Sequence, residues 1–290
     1  MKKSALIYIA VACTGWGMSG VFVNFLSPWG FTSLQMTFIR SITMFLCMLA
    51  YAIVKDRKLF EIPLTGLILT IGSGLSFFGT ASCYFFAMVE SSVSTAVVLM
   101  YTAPIFVMIY SVVFLGERLT KVKTLCVVLM LLGCGLVSGI IGGFSFAPKG
   151  ILFGLISGLC YSSYNIFTKI QMKKGLNPVT VNLYGFLFAT LAGGIIGDVT
   201  QIPLMVAQEP PLLLPLVILL GIVTAVVPYL TYSVALKHIP AGTASSLSIL
   251  EPMMATVISV AFLNEHIGIF SAFGIIAILT AVSVLAKSEE

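Results

Sequence analysis

Two ionisable side chains stand where the sequence is most apolar, and their chemistry is the first thing to account for. Glu251 lies in SILEPMMATVISVAFLNEHIG, residues 248–268, directly before Pro252. It sits about ten residues into an apolar run, or roughly 15 Å deep at 1.5 Å per residue. A charge at that depth in hydrocarbon costs roughly 3 kcal/mol, so it is expected to face a cavity or a partner. Two functions fit a carboxylate so placed: binding a cationic or amine group, or taking up and releasing a proton coupled to solute movement. A structural ion pair or a hydrogen-bonded carboxyl is the alternative. Arg40 is the other deeply placed ionisable residue, roughly 12 Å into its run. Its fork suits a carboxylate held bidentately, a pairing with Glu251, or a lock on backbone carbonyls. The apolar neighbours Phe38, Ile39, Ile42 and Phe45 favour the lock.

The elements that must hold these groups are membrane helices. Hydrophobic residues make up 59% of the chain and charged residues 9%, with a mean hydropathy of +1.12. A soluble chain carries roughly a quarter charged residues. Apolar runs of about twenty residues, each long enough to cross roughly 30 Å of hydrocarbon, follow one another from end to end. We read ten spans: 4–26, 32–54, 63–88, 93–115, 122–140, 150–168, 178–197, 212–236, 241–263 and 268–286. The fold class is therefore an all-α polytopic membrane protein. Lys2 and Lys3 precede the first run as in a signal peptide, but the run is too long and lacks a small-residue cleavage site, so it reads as a retained span. The polar gap at 198–211 reads as a loop.

Basic residues set the orientation. With the N-terminus in the cytoplasm, one side receives Lys2, Lys3, Lys55, Arg57, Lys58, Arg118, Lys121, Lys123, Lys169, Lys173, Lys174, Lys237 and Lys287, and the other receives Lys149 alone. Both termini are then cytoplasmic. The net charge of +5 is a topology signal, not a nucleic-acid footprint. The cysteines all fall within spans, without metal-ligand spacing, and read as small packing residues.

The chain repeats itself. VSTAVVLMYTAPIFVMIYSVVFLGERL, residues 93–119, aligns without a gap on the stretch 148 residues later. Thr95/Thr243, Leu99/Leu247, Pro104/Pro252, Phe114/Phe262 and Glu117/Glu265 are identical, and Tyr84/Tyr232 continue the match upstream. Spans one and six match at an offset of 145, with Trp16/Tyr161 and Phe22/Phe167. Residues 1–142 and 143–290 thus form two five-helix repeats. Five is odd, so the repeats are inverted, an arrangement in which two halves rock around a shared midplane site.

Pro104 and Pro252 break their spans at equivalent places and leave carbonyls in need of partners, which is tolerable within protein or beside a cavity. Pro228 breaks span eight and has no equivalent in the first half. Polar stripes at helical spacing mark candidate cavity faces. They are Ser157, Tyr161, Tyr164 and Thr168 with Asn165 beside them; Ser73, Phe77, Thr80 and Tyr84; Thr224, Pro228 and Tyr232; and Ser245, Ser248, Pro252, Thr256 and Ser259. Trp16 and Tyr101 join the candidate lining. Aromatic rings with a polar edge suit organic substrates, cationic ones included. The ridge Gly150, Gly154, Gly158 reads as close helix packing, and the recurring Glu117 and Glu265 as anchors of a turn.

Trp16-Gly17, Arg40, APIFVMIYSVVFLGERLT in span four and LEPMMATVISVAFLNEHI in span nine resemble the drug/metabolite transporter superfamily, EamA-type branch, over the whole chain. The resemblance implies a secondary carrier of small metabolites, most often an exporter of amino acids or related compounds. Two rival classes are weaker. An intramembrane enzyme lacks H-E-x-x-H and G-x-S-x-G, which GLSFFG at 74–79 misses by one position, and His238 and His266 lie at opposite helix ends. A channel lacks charge rings or a carbonyl filter. A multidrug or cation efflux carrier of the same fold stays open. We expect as partners the bilayer, a small-molecule substrate and, in one reading, protons; no cofactor, metal, nucleic acid or ATP is implied, since no P-loop is present. The expected location is a bacterial cytoplasmic membrane.

Overall fold

The computed structural model describes residues 3–91, 93–116, 120–138, 147–263 and 268–288, and every regular element among them is helical. The first span is α1 (Lys3–Gly17) continued by α2 (Ser19–Leu26), and the second and third are α3 (Ser33–Lys55) and α4 (Leu64–Glu90). The fourth is split into α5 (Val93–Met100) and α6 (Ala103–Leu115). Next come α7 (Lys121–Val137), α8 (Pro148–Lys173) and α9 (Pro178–Ile196). The polar gap expected to be a loop contains a 3₁₀ turn and a short helix, α10 (Ile202–Val206). Its apolar Ile202, Met205 and Val206 pack on a cluster built around Phe22, Phe31 and Leu213, and that burial supports a helix. The eighth span runs through α11 (Pro210–Gly221), a π turn (Ile222–Val226) and α12 (Val227–His238). The ninth is α13 (Ala241–Leu247) followed by α14 (Leu250–Leu263), and the tenth is α15 (Ile269–Ser288).

Among the described residues, eight of these spans are long and apolar enough to cross a membrane. The shorter α7 lies along α15, which carries the apolar stretch Ile269–Leu285, and together they complete the ten. Ile269, Phe273, Ile276 and Leu279 of α15 are exposed, as side chains that meet lipid can be at no cost.

Span ends follow local chemistry. Thr32 caps α3 in a reciprocal box with Gln35, whose amide also donates to the Asp198 carbonyl at 3.0 Å. Asn177 caps α9 through Val179 N–H. Gly116, at φ +67°, ends α6 in the left-handed conformation that glycine adopts without strain.

Packing obeys an approximate two-fold exchange of halves. α1 lies along α12 and α4 along α8, so span one pairs with span eight as span three pairs with span six. α3 on α9 and α7 on α15 pair equivalent spans with each other. The α7–α15 crossing is close: a Cβ on Gly274 would stand 2.6 Å from the Gly133 carbonyl oxygen, and one on Gly133 2.8 Å from that of Gly274. The ridge Gly150, Gly154, Gly158 packs on Ser91, Leu99 and the fourth-span break, as its spacing predicts. Glu117, Glu265, Arg118 and His266 lie outside the described residues.

Candidate functional site

The helices are interrupted just before the matched prolines, between α5 and α6 and between α13 and α14, and the structure identifies what meets the carbonyls there. Pro104 and Pro252 cannot donate to the carbonyls of Met100 and Ser248, four residues back. In the ninth span the Cys13 thiol of α1 lies 3.8 Å from the carbonyl oxygens of both Leu247 and Ser248, and Glu251 N–H turns back to Ser248 at 2.9 Å. In the fourth span the equivalent carbonyls, Leu99 and Met100, face Gly158 of α8 so closely that a Cβ there would lie 3.0 and 3.2 Å from them. Cys13 and Gly158 are 145 residues apart, the offset between spans one and six. The two breaks are therefore packed alike, one against a thiol donor and the other against bare glycine, where the Thr102 hydroxyl donates to the Leu99 carbonyl at 2.6 Å.

These breaks border a cavity of about 550 Å³. Glu251 and Pro252 line it from α14, Arg40 from α3, Tyr101 from the fourth-span break, Trp16 from α1, and Thr80 and Tyr84 from α4. Tyr161 and Tyr164 of α8 form its floor. Ser33, the first residue of α3, and Ser138, just beyond α7, also line it, so the cavity extends from mid-span to the face opposite the termini.

Arg40 is oriented by a third proline. Pro228 denies the Thr224 carbonyl its α-helical partner, and Arg40 Nη2 donates to that oxygen at 3.0 Å. The backbone lock expected for Arg40 is present, yet the residue also faces the cavity. Among the described residues no ion pair joins Arg40 to Glu251, although each lies within the other's electrostatic reach. The Tyr101 hydroxyl faces Glu251 but does not meet the geometry of a hydrogen bond.

Tyr229 is the residue that sequence reasoning missed. It lines the cavity beside Arg40, and its ring is 5.1 Å from Trp16, 5.2 Å from Phe77, 5.0 Å from Phe186 and 5.7 Å from Tyr164. The available signal was its i, i+3 spacing from Tyr232; its repeat partner is Ala81, so the duplication gave no hint. Among the described residues, five buried polar atoms on the cavity lining have no hydrogen-bond partner: Trp16 Nε1, Arg40 Nε and the hydroxyls of Tyr101, Tyr161 and Tyr164. All five can donate. The site thus offers several donors and a guanidinium beside one carboxylate, which matches a small solute that carries both an anionic group and a cation or amine.

The other expected lining residues stand elsewhere. The Asn165 amide donates to the Tyr161 carbonyl at 2.7 Å and accepts from the Tyr232 hydroxyl. Tyr232 backs Trp16, with ring centroids 5.3 Å apart. Ser248 donates to the Ala244 carbonyl at 3.0 Å. These three, with Pro104 and Pro228, border the cavity's supporting layer and not its surface. No group of three or more His, Cys, Asp or Glu capable of holding a metal occurs among the described residues.

Comparison with known proteins adds a lineage to this geometry. The model of the EamA-like transporter family matches residues 3–139 and again 148–287. An uncharacterized transporter of Clostridium kluyveri is 28% identical over 78% of this chain and 75% of its own length. One from Archaeoglobus fulgidus is 27% identical over 88% of this chain and 87% of its own. A solved crystal structure superposes with a TM-score of 0.80 across the whole of both chains at 20% identity, a likeness of fold.

Proposed function

Because the chain belongs to the EamA-like transporter family, we propose that it is a secondary transporter that exports small polar or amphiphilic metabolites, amino acids or related amines, by alternating access. The observation that carries this reading is the placement of Glu251 and Arg40 on one cavity without an ion pair between them. Two opposite charges left unjoined at mid-membrane depth are costly unless something else engages them, and a zwitterionic or amine-bearing solute does so. Glu251 binds the amine and exchanges it for a proton; Arg40, held at one nitrogen by Thr224, presents its others to a carboxylate. The two repeats, 1–142 and 143–290, move against each other about this site.

The thirteen-to-one distribution of basic residues supports cytoplasmic termini in a prokaryotic cytoplasmic membrane. The cavity then faces outward. A carrier specialised for organic cations is the second reading, favoured by the aromatic wall of Trp16, Tyr101 and Tyr229 near Glu251.

Proteoliposomes preloaded with an unlabelled amino acid or amine and given trace labelled compound outside test the proposal. Counterflow of amino acids that drops at least about ten-fold in Arg40→Met supports zwitterion export. Counterflow restricted to amines and indifferent to Arg40→Met supports the cation reading. Absence of counterflow for both classes removes the substrate assignment.

A further inference from the structure

Cations on the side of the termini converge on one corner of the molecule. Lys55 ends α3, and Arg57 and Lys58 follow in a 3₁₀ turn, Arg57–Phe60; all three are exposed. Lys173 and Lys174, at the end of α8, are exposed as well. The two loops that carry these residues are joined. The Leu59 carbonyl accepts from the Thr180 hydroxyl at 2.9 Å, and the Phe60 carbonyl from the Tyr184 hydroxyl at 2.8 Å, both in the first turns of α9. A Cβ on Gly66 of α4 would lie 3.1 Å from Leu176 Cδ1, just beyond Lys174. Five cations from two loops therefore share this corner, against Asp56 and Glu61 in the same loops.

We propose that this corner is a binding site for an anionic phospholipid. Such a site is independent of the solute carried. Arg57 suits a headgroup phosphate held bidentately, and the lysines add point charges around it. The acyl chains have a surface beside it: Ile53 and Val54 at the end of α3, and Leu64 and Ile68 at the start of α4, are exposed apolar side chains that flank the first loop. Cations above a lipid-facing apolar rim match a charged headgroup carried on hydrocarbon tails. A free anion would use the cations alone.

Two comparisons separate this corner from the orientation signal. The positive-inside bias asks for cations in loops on this face, but not for two loops to bring theirs together. The fold also builds the same joint on the opposite face, where the loop after span one meets the loop after span seven. There the Gln35 amide donates to the Asp198 carbonyl at 3.0 Å, and a Cβ on Gly30 would lie 3.7 Å from Met205 Cε. These loops are the repeat counterparts of the inner pair, as the caps Thr32 and Asn177 show by their offset of 145. Residues 27–32 and 197–209 contain Asp198 and Glu209 but no Lys or Arg. The joint therefore packs without cations, and those of the inner joint are available to a ligand. The platform is ordered in advance: the Asp56 carboxylate accepts from Lys58 N–H at 2.9 Å, and Gly175, at φ +77°, turns the chain after α8. Little ordering cost then falls on the loops when lipid binds.

Titration of the purified full chain in neutral detergent with phosphatidylglycerol or phosphatidylcholine, read by thermal unfolding, tests the site. The expected apparent affinity is at least about ten-fold tighter for phosphatidylglycerol. Arg57→Gln/Lys58→Gln/Lys174→Gln should lose that preference, while Lys121→Gln/Lys237→Gln, which removes exposed cations from other loops, should keep it. Equal affinity of the parent for both lipids overturns the proposal, as does a preference that survives the triple variant. Inorganic phosphate at matched ionic strength that displaces phosphatidylglycerol and stabilises the protein equally also overturns it, and assigns the corner to a free anion. If the triple variant does not fold, Arg57→Gln/Lys58→Gln and Lys174→Gln are read separately. Each should weaken phosphatidylglycerol binding at least about three-fold, and unchanged binding in either overturns the proposal.

Discussion

Pro228 reaches the cavity only through another residue. Its ring leaves the Thr224 carbonyl without an α-helical donor, and Arg40 takes that oxygen. Pro228→Ala restores an N–H that competes for the same carbonyl. Arg40 then loses a charge-assisted bond of about 1.5–3 kcal/mol, and affinity for carboxylate-bearing solutes should fall about ten-fold or more while that for simple amines changes little. Isothermal titration with matched pairs, an amino acid and its decarboxylated amine, checks this; equal losses for both would contradict it. At this scale the sequence marked Glu251, Arg40, Trp16, Tyr84, Tyr101, Tyr161 and Tyr164, because a polar or ionisable group in an apolar run is conspicuous. It did not separate surface from support. Asn165, Tyr232 and Ser248 share helical faces with lining residues but spend their polar atoms on one another or on backbone, and spacing cannot show that difference.

At the scale of the element, the recurring prolines announced broken helices but not what would meet them. The answer differs between halves: Cys13 donates weakly to two carbonyls, while Gly158 admits theirs by having no side chain. Thiol–carbonyl contacts at 3.8 Å are weak, so Cys13→Ala should cost under about 1 kcal/mol, against the larger cost of closing a glycine contact. Gly274→Ala places a methyl 2.6 Å from the Gly133 carbonyl oxygen, and because that atom is backbone the helices must part. We expect about 1–3 kcal/mol of destabilisation, read as a lower apparent melting temperature in detergent. An unchanged melting temperature in Gly274→Ala would show that α7 and α15 do not cross there. The short helix α10 was illegible for the opposite reason: its neighbourhood is polar enough to read as loop, and only burial of Ile202, Met205 and Val206 by distant residues favours a helix.

The whole molecule is where the sequence spoke most clearly. Span number and inversion followed from apolar lengths, an odd repeat and the basic-residue bias, and the packing of span one on eight and three on six reproduces that two-fold relation. What no pattern in one chain specifies is the face to which the cavity opens. Several side chains break the two-fold relation: Arg40 stands against Gly185, Glu251 against Ala103 and Lys169 against Asn24. Lys169 of α8 is buried, and its ammonium donates to the Leu236 and Ile239 carbonyls at the end of α12; removing that tie should shift the balance between states, so Lys169→Met protein in oriented proteoliposomes should lose affinity for solutes added on the side opposite the termini. Intrinsic quenching of Trp16, which lines the open cavity, reads that affinity; unaltered quenching would assign Lys169 to folding alone.

In the proposed export cycle Glu251 binds the substrate amine in competition with a proton. The most direct test of this competition is the affinity of the purified protein for amino acids and amines at about pH 5.5 and about pH 8, for the parent chain and for Glu251→Gln. Weaker binding by the parent is expected at the lower pH, where a proton occupies the carboxylate, with weak binding at both pH values in Glu251→Gln. Equal affinity for the same ligand in both proteins at both pH values would contradict it and leave Glu251 a structural residue.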